Sequence, residues 1–224
     1  MSTKPNDTNL PSNIHEQTLQ PGNRHYTVAV PHGYSDEVPV PLVMAFHYAG
    51  HGSPYYGKLM LLDLIEPALR ELGAIIVAPD CTAPDWTHPQ SEGDVLELLD
   101  HIESNYLIDM SKRLVTGYSL GGIGTWHMAL EHPDRFSAAI VMAGIPPSNI
   151  HELQLPMPFY VIHSRDDEFM PLNRTVEAVD TLQSRDAPIE LMILEGITHF
   201  QTWRYTEPLR MTIPWLEGVW GEEG

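Results

Sequence analysis

Three kinds of side chain that together activate a nucleophile follow one another along this sequence: a serine, a group of carboxylates and a histidine. The serine is Ser119, in the segment Gly117-Tyr118-Ser119-Leu120-Gly121, which fits the pattern G-x-S-x-G. In that pattern a strand turns sharply into a helix and holds the serine at the turn, and glycines stand where side chains would collide with neighbouring backbone. Ser119 is therefore predicted to be a nucleophile.

A serine hydroxyl needs a base that accepts its proton and an acid that orients the base. Three adjacent carboxylates, Asp166, Asp167 and Glu168, follow one predicted strand and are the candidates for the acid. His199 follows the last predicted strand and is the candidate for the base. The order serine, acid, histidine along the chain is that of the α/β-hydrolases.

The elements that position these residues alternate between strand and helix from about residue 40 onward. The predicted strands are 25–31, 40–46, 74–78, 114–116, 136–143, 159–163 and 189–194, and the predicted helices are 59–72, 91–106, 123–131, 172–184 and 207–219. This alternation predicts an α/β fold, with a mostly parallel central sheet and helices on both faces. Ligands bind beyond the carboxyl ends of such strands, where the loops of all three candidate residues lie.

Length and composition predict one globular domain. The chain has 224 residues, of which 42% are hydrophobic and 19% charged, enough for one domain with a substantial core. Residues 1–22 are polar and rich in proline and are predicted to form a flexible N-terminal arm, and residues 23–224 are predicted to form the domain. No insertion is long enough for a large lid domain, and residues 144–157 are the only candidate for a small cover.

Charge and cysteine content limit the partners and the compartment. Lys and Arg number 12 against 30 Asp and Glu, a formal net charge of −18, which argues against nucleic acid and anionic membranes as partners. The single cysteine, Cys81, excludes an intrachain disulfide and fits a reducing compartment. We find no apolar run of signal-peptide or membrane-span length, and we expect a soluble, cytoplasmic protein.

The segments around the candidate residues resemble those of known esterases. Residues 114–126 (LVTGYSLGGIGTW) and 131–136 (EHPDRF) are similar to the phospholipase/carboxylesterase and dienelactone-hydrolase-like groups of the α/β-hydrolase superfamily, and to related feruloyl-esterase and prolyl-peptidase-like hydrolases. Residues 163–171 look like the family's His-Gly-x-x-Asp-x-x-Val-Pro, which implies Asp167 as the acid. The ending Gly-x-x-His implies His199 as the base, and the resemblance implies no cofactor.

Two positions depart from the family pattern. Ser164 stands in place of a glycine, and His47-Tyr48-Ala49 stands where the family has His-Gly, in the loop that gives one backbone N–H to the oxyanion. By position we assign that donor to Ala49, and the second donor to Leu120. Tyr48 does not easily adopt a positive φ. The loop must therefore take another shape, or the Tyr48 hydroxyl takes part in binding.

Some further side chains on these loops have types that suit substrate or metal binding. The side chains predicted to line the substrate pocket are Tyr48, Trp86, Met170 and Trp203, and the two tryptophans and Met170 are equally expected as ordinary packing. His47 and His51 have the spacing of metal ligands, but they lie in a glycine-containing loop without neighbouring carboxylates. No metal site is predicted there.

These features predict a serine esterase that acts on small-molecule esters with short or medium acyl or aryl groups. A serine peptidase of the same fold is the nearest alternative, although we find no residue set that defines a pocket for a substrate amine. A non-catalytic binding protein of hydrolase fold is the second alternative. The Tyr48 substitution favours the binding protein, and the complete serine, acid and histidine order argues against it.

Overall fold

An eight-stranded sheet forms the centre of the computed structural model, which describes residues 12–50 and 53–221. The strands are β1 (Asn13–Leu19), β2 (Arg24–Val30), β3 (Val40–Phe46), β4 (Ile75–Pro79), β5 (Ile108–Tyr118), β6 (Ala138–Met142), β7 (Phe159–Ser164) and β8 (Ile189–Leu194). Their order across the sheet is β1-β2-β4-β3-β5-β6-β7-β8. The β1–β2 and β2–β4 pairs are antiparallel and all others are parallel. The predicted α/β class and mostly parallel sheet are confirmed.

Helices cover both faces of the sheet. They are α1 (Gly57–Met60), α2 (Glu66–Leu69), α3 (Pro89–Asn105), α4 (Leu120–Glu131), α5 (Leu172–Gln183), α6 (Thr206–Arg210) and α7 (Ile213–Gly221), with a π-helical turn at Leu61–Ile65 and 3-10 turns at Arg70–Leu72, Ile150–Glu152 and Thr202–Tyr205. Residues of α3, α4 and α5 share one apolar core with one face of the sheet. The segment 57–72 shares the other core with α6 and α7. Within the described ranges, no helix is long and apolar enough to cross a membrane.

The central strands read as continuous apolar runs because both of their faces are covered. All five residues of β6 are buried, as are all five residues of β4. In β3 the pairing with β5 shifts register between Val40 and Leu42. The residue between them is Pro41, which has no N–H to give to the ladder, so the irregularity falls where a proline is tolerated.

The N-terminal part of the chain differs from the predicted flexible arm over residues 1–22. Asn13–Leu19 form β1, which pairs with β2 from Asn13 opposite Val30 to Leu19 opposite Arg24. As an edge strand, β1 leaves most of its side chains exposed, so it carries no apolar run that would reveal it. Residues 1–11 lie outside the described residues.

The C-terminal helix predicted over residues 207–219 is two helices, α6 and α7. Pro214 lies in the first turn of α7. Its ring would collide with the carbonyl of Arg210 if one helix continued through this point. The buried Thr212 lies at the break and donates its hydroxyl to the Leu209 carbonyl at 2.7 Å, which satisfies one of the carbonyls that α6 leaves without a helical partner.

The tight contact between α4 and the loop after β4 yields a test of the packing. A Cβ added at Gly124 would lie 2.3 Å from Trp86 Cβ. Gly124→Ala is therefore expected to lower the free energy of unfolding by about 1–3 kcal/mol through overpacking. At Gly93 in α3, an added Cβ meets nothing within 4 Å. Gly93→Ala is therefore expected to raise the free energy of unfolding by about 0.5–1 kcal/mol. Chemical denaturation measures the free energy of unfolding of both variants. If Gly124→Ala were as stable as the wild-type protein, the close contact between Gly124 and Trp86 would be contradicted.

Candidate active site

Ser119 lies at a strained turn between β5 and α4. Its φ of 58° and ψ of −116° are rare for a residue with a Cβ, and its N–H donates to the Met142 carbonyl at 2.9 Å. A Cβ on Gly121 would lie 1.9 Å from the Phe46 carbonyl oxygen, and one on Gly117 would lie 2.3 Å from the Gly121 carbonyl oxygen. Both glycines are therefore needed for this turn to pack against β3.

The structure brings Ser119, His199 and Asp167 together in one hydrogen-bonded chain. Ser119 Oγ lies 2.8 Å from His199 Nε2, and His199 Nδ1 lies 2.8 Å from Asp167 Oδ2. All three residues are buried. A carboxylate only accepts hydrogen bonds, so Nδ1 carries the imidazole proton and Nε2 faces the serine as an acceptor. This arrangement can take a proton from the serine hydroxyl.

Three adjacent carboxylates lie in the loop after β7, which we call the acid loop. They have different partners. Asp167 Oδ1 accepts from the backbone N–H groups of Phe169 at 2.9 Å and Met170 at 2.7 Å. Burial favours a raised pKa for Asp167, but the hydrogen bonds from His199 and these two N–H groups outweigh it, so its pKa lies below the usual range. Asp167 is therefore held as a carboxylate.

Asp166 and Glu168 form hydrogen bonds with the backbone of the loop after β8, which contains His199 and which we call the base loop. Asp166 Oδ2 accepts from Gly196 N–H at 2.6 Å, and Glu168 Oε2 accepts from His199 N–H at 3.0 Å. Both side chains reach from the loop after β7 to the loop after β8. Residue type and position leave all three carboxylates as candidates for the acid, and the resemblance to the family implies Asp167. The partners of each carboxylate are visible only in the folded chain.

Ser164, which departs from the family glycine, makes contacts that a glycine cannot make. Its Oγ donates to the Ile197 carbonyl at 2.6 Å and accepts from Asp166 N–H at 3.2 Å. Its N–H donates to the Tyr205 hydroxyl at 3.1 Å. Ser164 thus joins the acid loop to the base loop, and the sequence analysis did not assign it this role.

Two buried tyrosines complete the frame around the base loop. The Tyr118 hydroxyl donates to the His199 carbonyl at 2.7 Å, and the rings of Tyr118 and Tyr205 meet edge to face at 4.9 Å between centroids. Burial raises the pKa of both hydroxyls above the usual value. They therefore act as neutral donors and acceptors. Tyr118 stands next to Ser119 in sequence, yet nothing in the G-x-S-x-G pattern indicates this contact.

A second buried histidine, His163, supports the acid. Its Nε2–H donates to the Met170 carbonyl at 2.7 Å, and its Nδ1 accepts from the Thr175 hydroxyl at 3.0 Å. Burial lowers the pKa of His163, which favours the neutral ring that this pattern of one donor and one acceptor requires. Its Nε2 is 3.8 Å from Asp167 Oδ2, so it steadies the turn that holds the acid.

The loop after β3 takes a shape that avoids the positive φ that the family glycine would suggest for Tyr48. Among the described residues between β3 and α1, those with a positive φ are Gly50, at 144°, and Tyr55, at 63°. His47 Nε2 accepts from Cys81 N–H at 3.0 Å, so its Nδ1–H donates to the Tyr48 carbonyl at 2.7 Å. Because this bond fixes the Tyr48 carbonyl, it also sets the direction of the Ala49 N–H in the same peptide unit.

The four side chains predicted to line the substrate pocket lie in different surroundings. Trp86 is buried, stacks on Phe46 at 4.6 Å and donates to the His47 carbonyl at 2.9 Å, so it supports the loop from the core, contrary to the predicted substrate contact. Tyr48 is half-buried and meets Tyr56 edge to face. Met170 is half-buried and gives its backbone to the acid, and Trp203 is 59% exposed.

His47, in the loop after β3, belongs to no metal-binding group that the described residues form. Within residues 12–50 and 53–221, no group of three or more His, Cys, Asp or Glu side chains is arranged to hold a metal ion. His51 lies outside these ranges, so the spacing of His47 and His51 is not described.

Known proteins are similar to this chain in sequence. Residues 18–204 match the model of the Esterase family. Feruloyl esterase C of Emericella nidulans is 26% identical over 174 residues, which cover 75% of this chain and 63% of the relative. Feruloyl esterase D of Neurospora crassa is 25% identical over 163 residues, covering 65% and 53%. The chain thus spans less than two thirds of the length of these relatives.

Solved structures of esterases have the same architecture. A thermostable esterase superposes with a TM-score of 0.74 at 22% identity, covering 93% of this chain and 63% of that one. A ferulic acid esterase superposes with a TM-score of 0.73 at 20% identity, covering 94% and 100%. At these identities the likeness shows the fold, which is that of the α/β-hydrolases. Because the family model matches most of the chain, this protein belongs to the Esterase family.

Proposed function

We propose that this chain is a serine esterase of the carboxylesterase type, which cleaves carboxylic esters with short or medium acyl or aryl groups. The observation that carries the proposal is the unbroken hydrogen-bonded chain from Ser119 through His199 to Asp167, with 2.8 Å at each step. Membership of the Esterase family supports ester hydrolysis. The relatives named feruloyl esterases support aryl acids among the substrates.

In the first half of the proposed reaction, Ser119 Oγ attacks the carbonyl carbon of the ester while His199 Nε2 accepts the hydroxyl proton. The carbonyl oxygen becomes an oxyanion, which accepts hydrogen bonds from the N–H groups of Ala49 and Leu120. Asp167, ionised because its pKa is lowered, stabilises the imidazolium. His199 then gives the proton to the alcohol oxygen, the C–O bond breaks and the acyl group stays on Ser119.

In the second half, water takes the place of the alcohol. His199 Nε2 accepts a proton from the water as its oxygen attacks the acyl carbon, and the same two N–H groups hold the oxyanion. The proton returns to Ser119 Oγ when the ester bond to the enzyme breaks. Acid and restored serine are the products, and each proton transfer passes through the single nitrogen that faces the serine.

A cavity of about 360 Å³ lies next to α4. Its lining includes Thr87, Ile123, Trp126, Ile145, Pro146 and Leu153. One of these lining residues, Ile123, lies one helical turn after Ser119, and its N–H donates to the Ser119 carbonyl at 3.0 Å. The size of the cavity falls within the range of about 300–1,000 Å³ that is common for small-molecule sites. The lining also includes the charged Glu131 and Arg174. We propose that the apolar side chains of this cavity accept the acyl or aryl group.

Hydrolysis of p-nitrophenyl esters of increasing chain length tests the proposal. The wild-type protein is expected to hydrolyse short and medium esters, and Ser119→Ala is expected to lose this activity because alanine has no hydroxyl to attack the ester. A p-nitroanilide of the same acyl group contains an amide bond, so its hydrolysis at a rate similar to that of the ester would indicate a peptidase. Stoichiometric labelling by a fluorophosphonate that is absent in Ser119→Ala tests the nucleophile directly. Equal, slow hydrolysis by the two proteins would favour a non-catalytic binding protein.

The identity of the acid is tested by two matched substitutions on adjacent residues. Asp167→Asn is expected to reduce kcat by about 10⁴-fold, since an amide stabilises the wrong tautomer of the histidine. Asp166→Asn keeps an oxygen that accepts from Gly196 N–H, and it is expected to retain most of the activity. Steady-state kinetics on one ester measures both variants. A larger loss in Asp166→Asn than in Asp167→Asn would move the acid to Asp166.

A further inference from the structure

Two exposed aromatic side chains border the His199 imidazole. Phe169, from the acid loop, stacks on the imidazole with centroids 5.4 Å apart and planes 26° apart. Phe200, next to His199 in sequence, meets the same ring edge to face at 5.5 Å, and the two phenylalanines meet each other at 5.8 Å. Phe169 is 64% exposed and Phe200 67%, whereas Tyr118, which also contacts the imidazole, is buried.

The exposure of these two rings is unusual for their type. Each phenylalanine leaves about two thirds of its surface in water, although burial of such a side chain contributes about 1.5–3 kcal/mol to folding. Neighbouring exposed aromatic rings beside a reactive group are typical of a surface that binds a ligand. Their contact with His199 therefore raises the question of which part of a substrate they meet.

The chemistry of the proposed reaction answers this question. In the tetrahedral intermediate, the acyl carbon carries the serine oxygen, the oxyanion, the acyl group and the alcohol oxygen. His199 Nε2 must reach both the serine oxygen and the alcohol oxygen, so the alcohol leaves beside the imidazole. The oxyanion points elsewhere, toward the N–H groups of Ala49 and Leu120.

The order of strands separates these two sides of the site. In the sheet, β3 lies on one side of β5, and β6, β7 and β8 follow one another on the other side. Ala49 follows β3, whereas Phe169 and Phe200 follow β7 and β8. The alcohol half of the substrate is thus directed toward the two phenylalanines and away from Ala49.

We propose that Phe169 and Phe200 form the subsite for the alcohol half of the ester, and that this subsite favours an alcohol carried on a ring with a flat apolar face. An aromatic ring and the apolar face of a sugar share this chemistry, because both can stack on a phenyl ring. Asp166 and Glu168 precede Phe169 on the same loop and are exposed, which disfavours an anionic alcohol. This inference rests on the proposed esterase function.

The test compares acetate esters that differ only in the alcohol: benzyl acetate, 6-O-acetyl methyl glucoside and the linear hexyl acetate. All three esters form the same acetyl-enzyme, so the deacylation rate constant is the same for each of them. Differences in kcat/KM between the esters therefore report the contacts of the alcohol. Phe200→Ala removes the ring, and Phe200→Leu keeps apolar bulk without a flat face. Met211→Ala is the control, because Met211 is exposed to a similar extent, 61%, and lies between α6 and α7.

Phe200→Ala and Phe200→Leu are expected to lower kcat/KM for at least one ring ester relative to hexyl acetate by between about twofold and tenfold, the usual worth of an aromatic contact. Deacylation stays unchanged, and Met211→Ala behaves as wild type. Loss confined to the benzyl ester assigns the subsite to aryl alcohols, and loss confined to the glucoside assigns it to sugars.

Two results would overturn the subsite. An unchanged ratio of ring to linear esters would mean that the rings do not meet the alcohol. An equal loss for all three esters, with slower deacylation, would mean that Phe200 only supports His199. Failure of the proposed function itself is distinguishable, since the wild-type protein would then hydrolyse none of the esters and would not be labelled by a fluorophosphonate at Ser119.

Discussion

A neutral imidazole carries one N–H proton, and the site depends on which nitrogen of His199 holds it. Asp167 lies 2.8 Å from Nδ1 and therefore places the proton there, which leaves Nε2 free to accept from Ser119. The carboxylate does this because two backbone N–H groups and the imidazole favour its charged form more than burial disfavours it. The position of one proton thus connects the acid loop to the nucleophile.

The acid and the base lie in loops, and loops cost conformational entropy to hold in one arrangement. Hydrogen bonds between the two loops offset that cost. Asp166 accepts from Gly196, Glu168 accepts from His199, and the Ser164 hydroxyl donates to the Ile197 carbonyl. Carboxylates that would ordinarily be solvated are used here to fix backbone. Part of the negative charge of this surface therefore stabilises the conformation of the two loops.

Two features of the site lower the stability of the fold locally: the strained turn at Ser119 and the exposed aromatic rings beside His199. Ser119 is held at a positive φ that its Cβ disfavours, and close contacts of α4 with β3 and Trp86 tolerate only glycine at Gly121 and Gly124. Phe169 and Phe200 remain exposed beside the imidazole. The parallel sheet, whose central strands are buried on both faces, supplies the rigid frame on which these unfavourable features are held.

The sequence by itself determined the strand and helix order, the α/β class and the positions of the serine, the histidine and a set of candidate acids. These follow from apolar periodicity and from the G-x-S-x-G pattern, both of which can be recognised within a short stretch of sequence. It missed β1, whose side chains face solvent, and the division of the last helix at Pro214. Only the tertiary structure decided which carboxylate meets His199, that Trp86 belongs to the core, and that Ser164 and Tyr118 hold the base loop. Those contacts join residues 32 to 81 positions apart, and no local pattern records which distant groups the fold brings together.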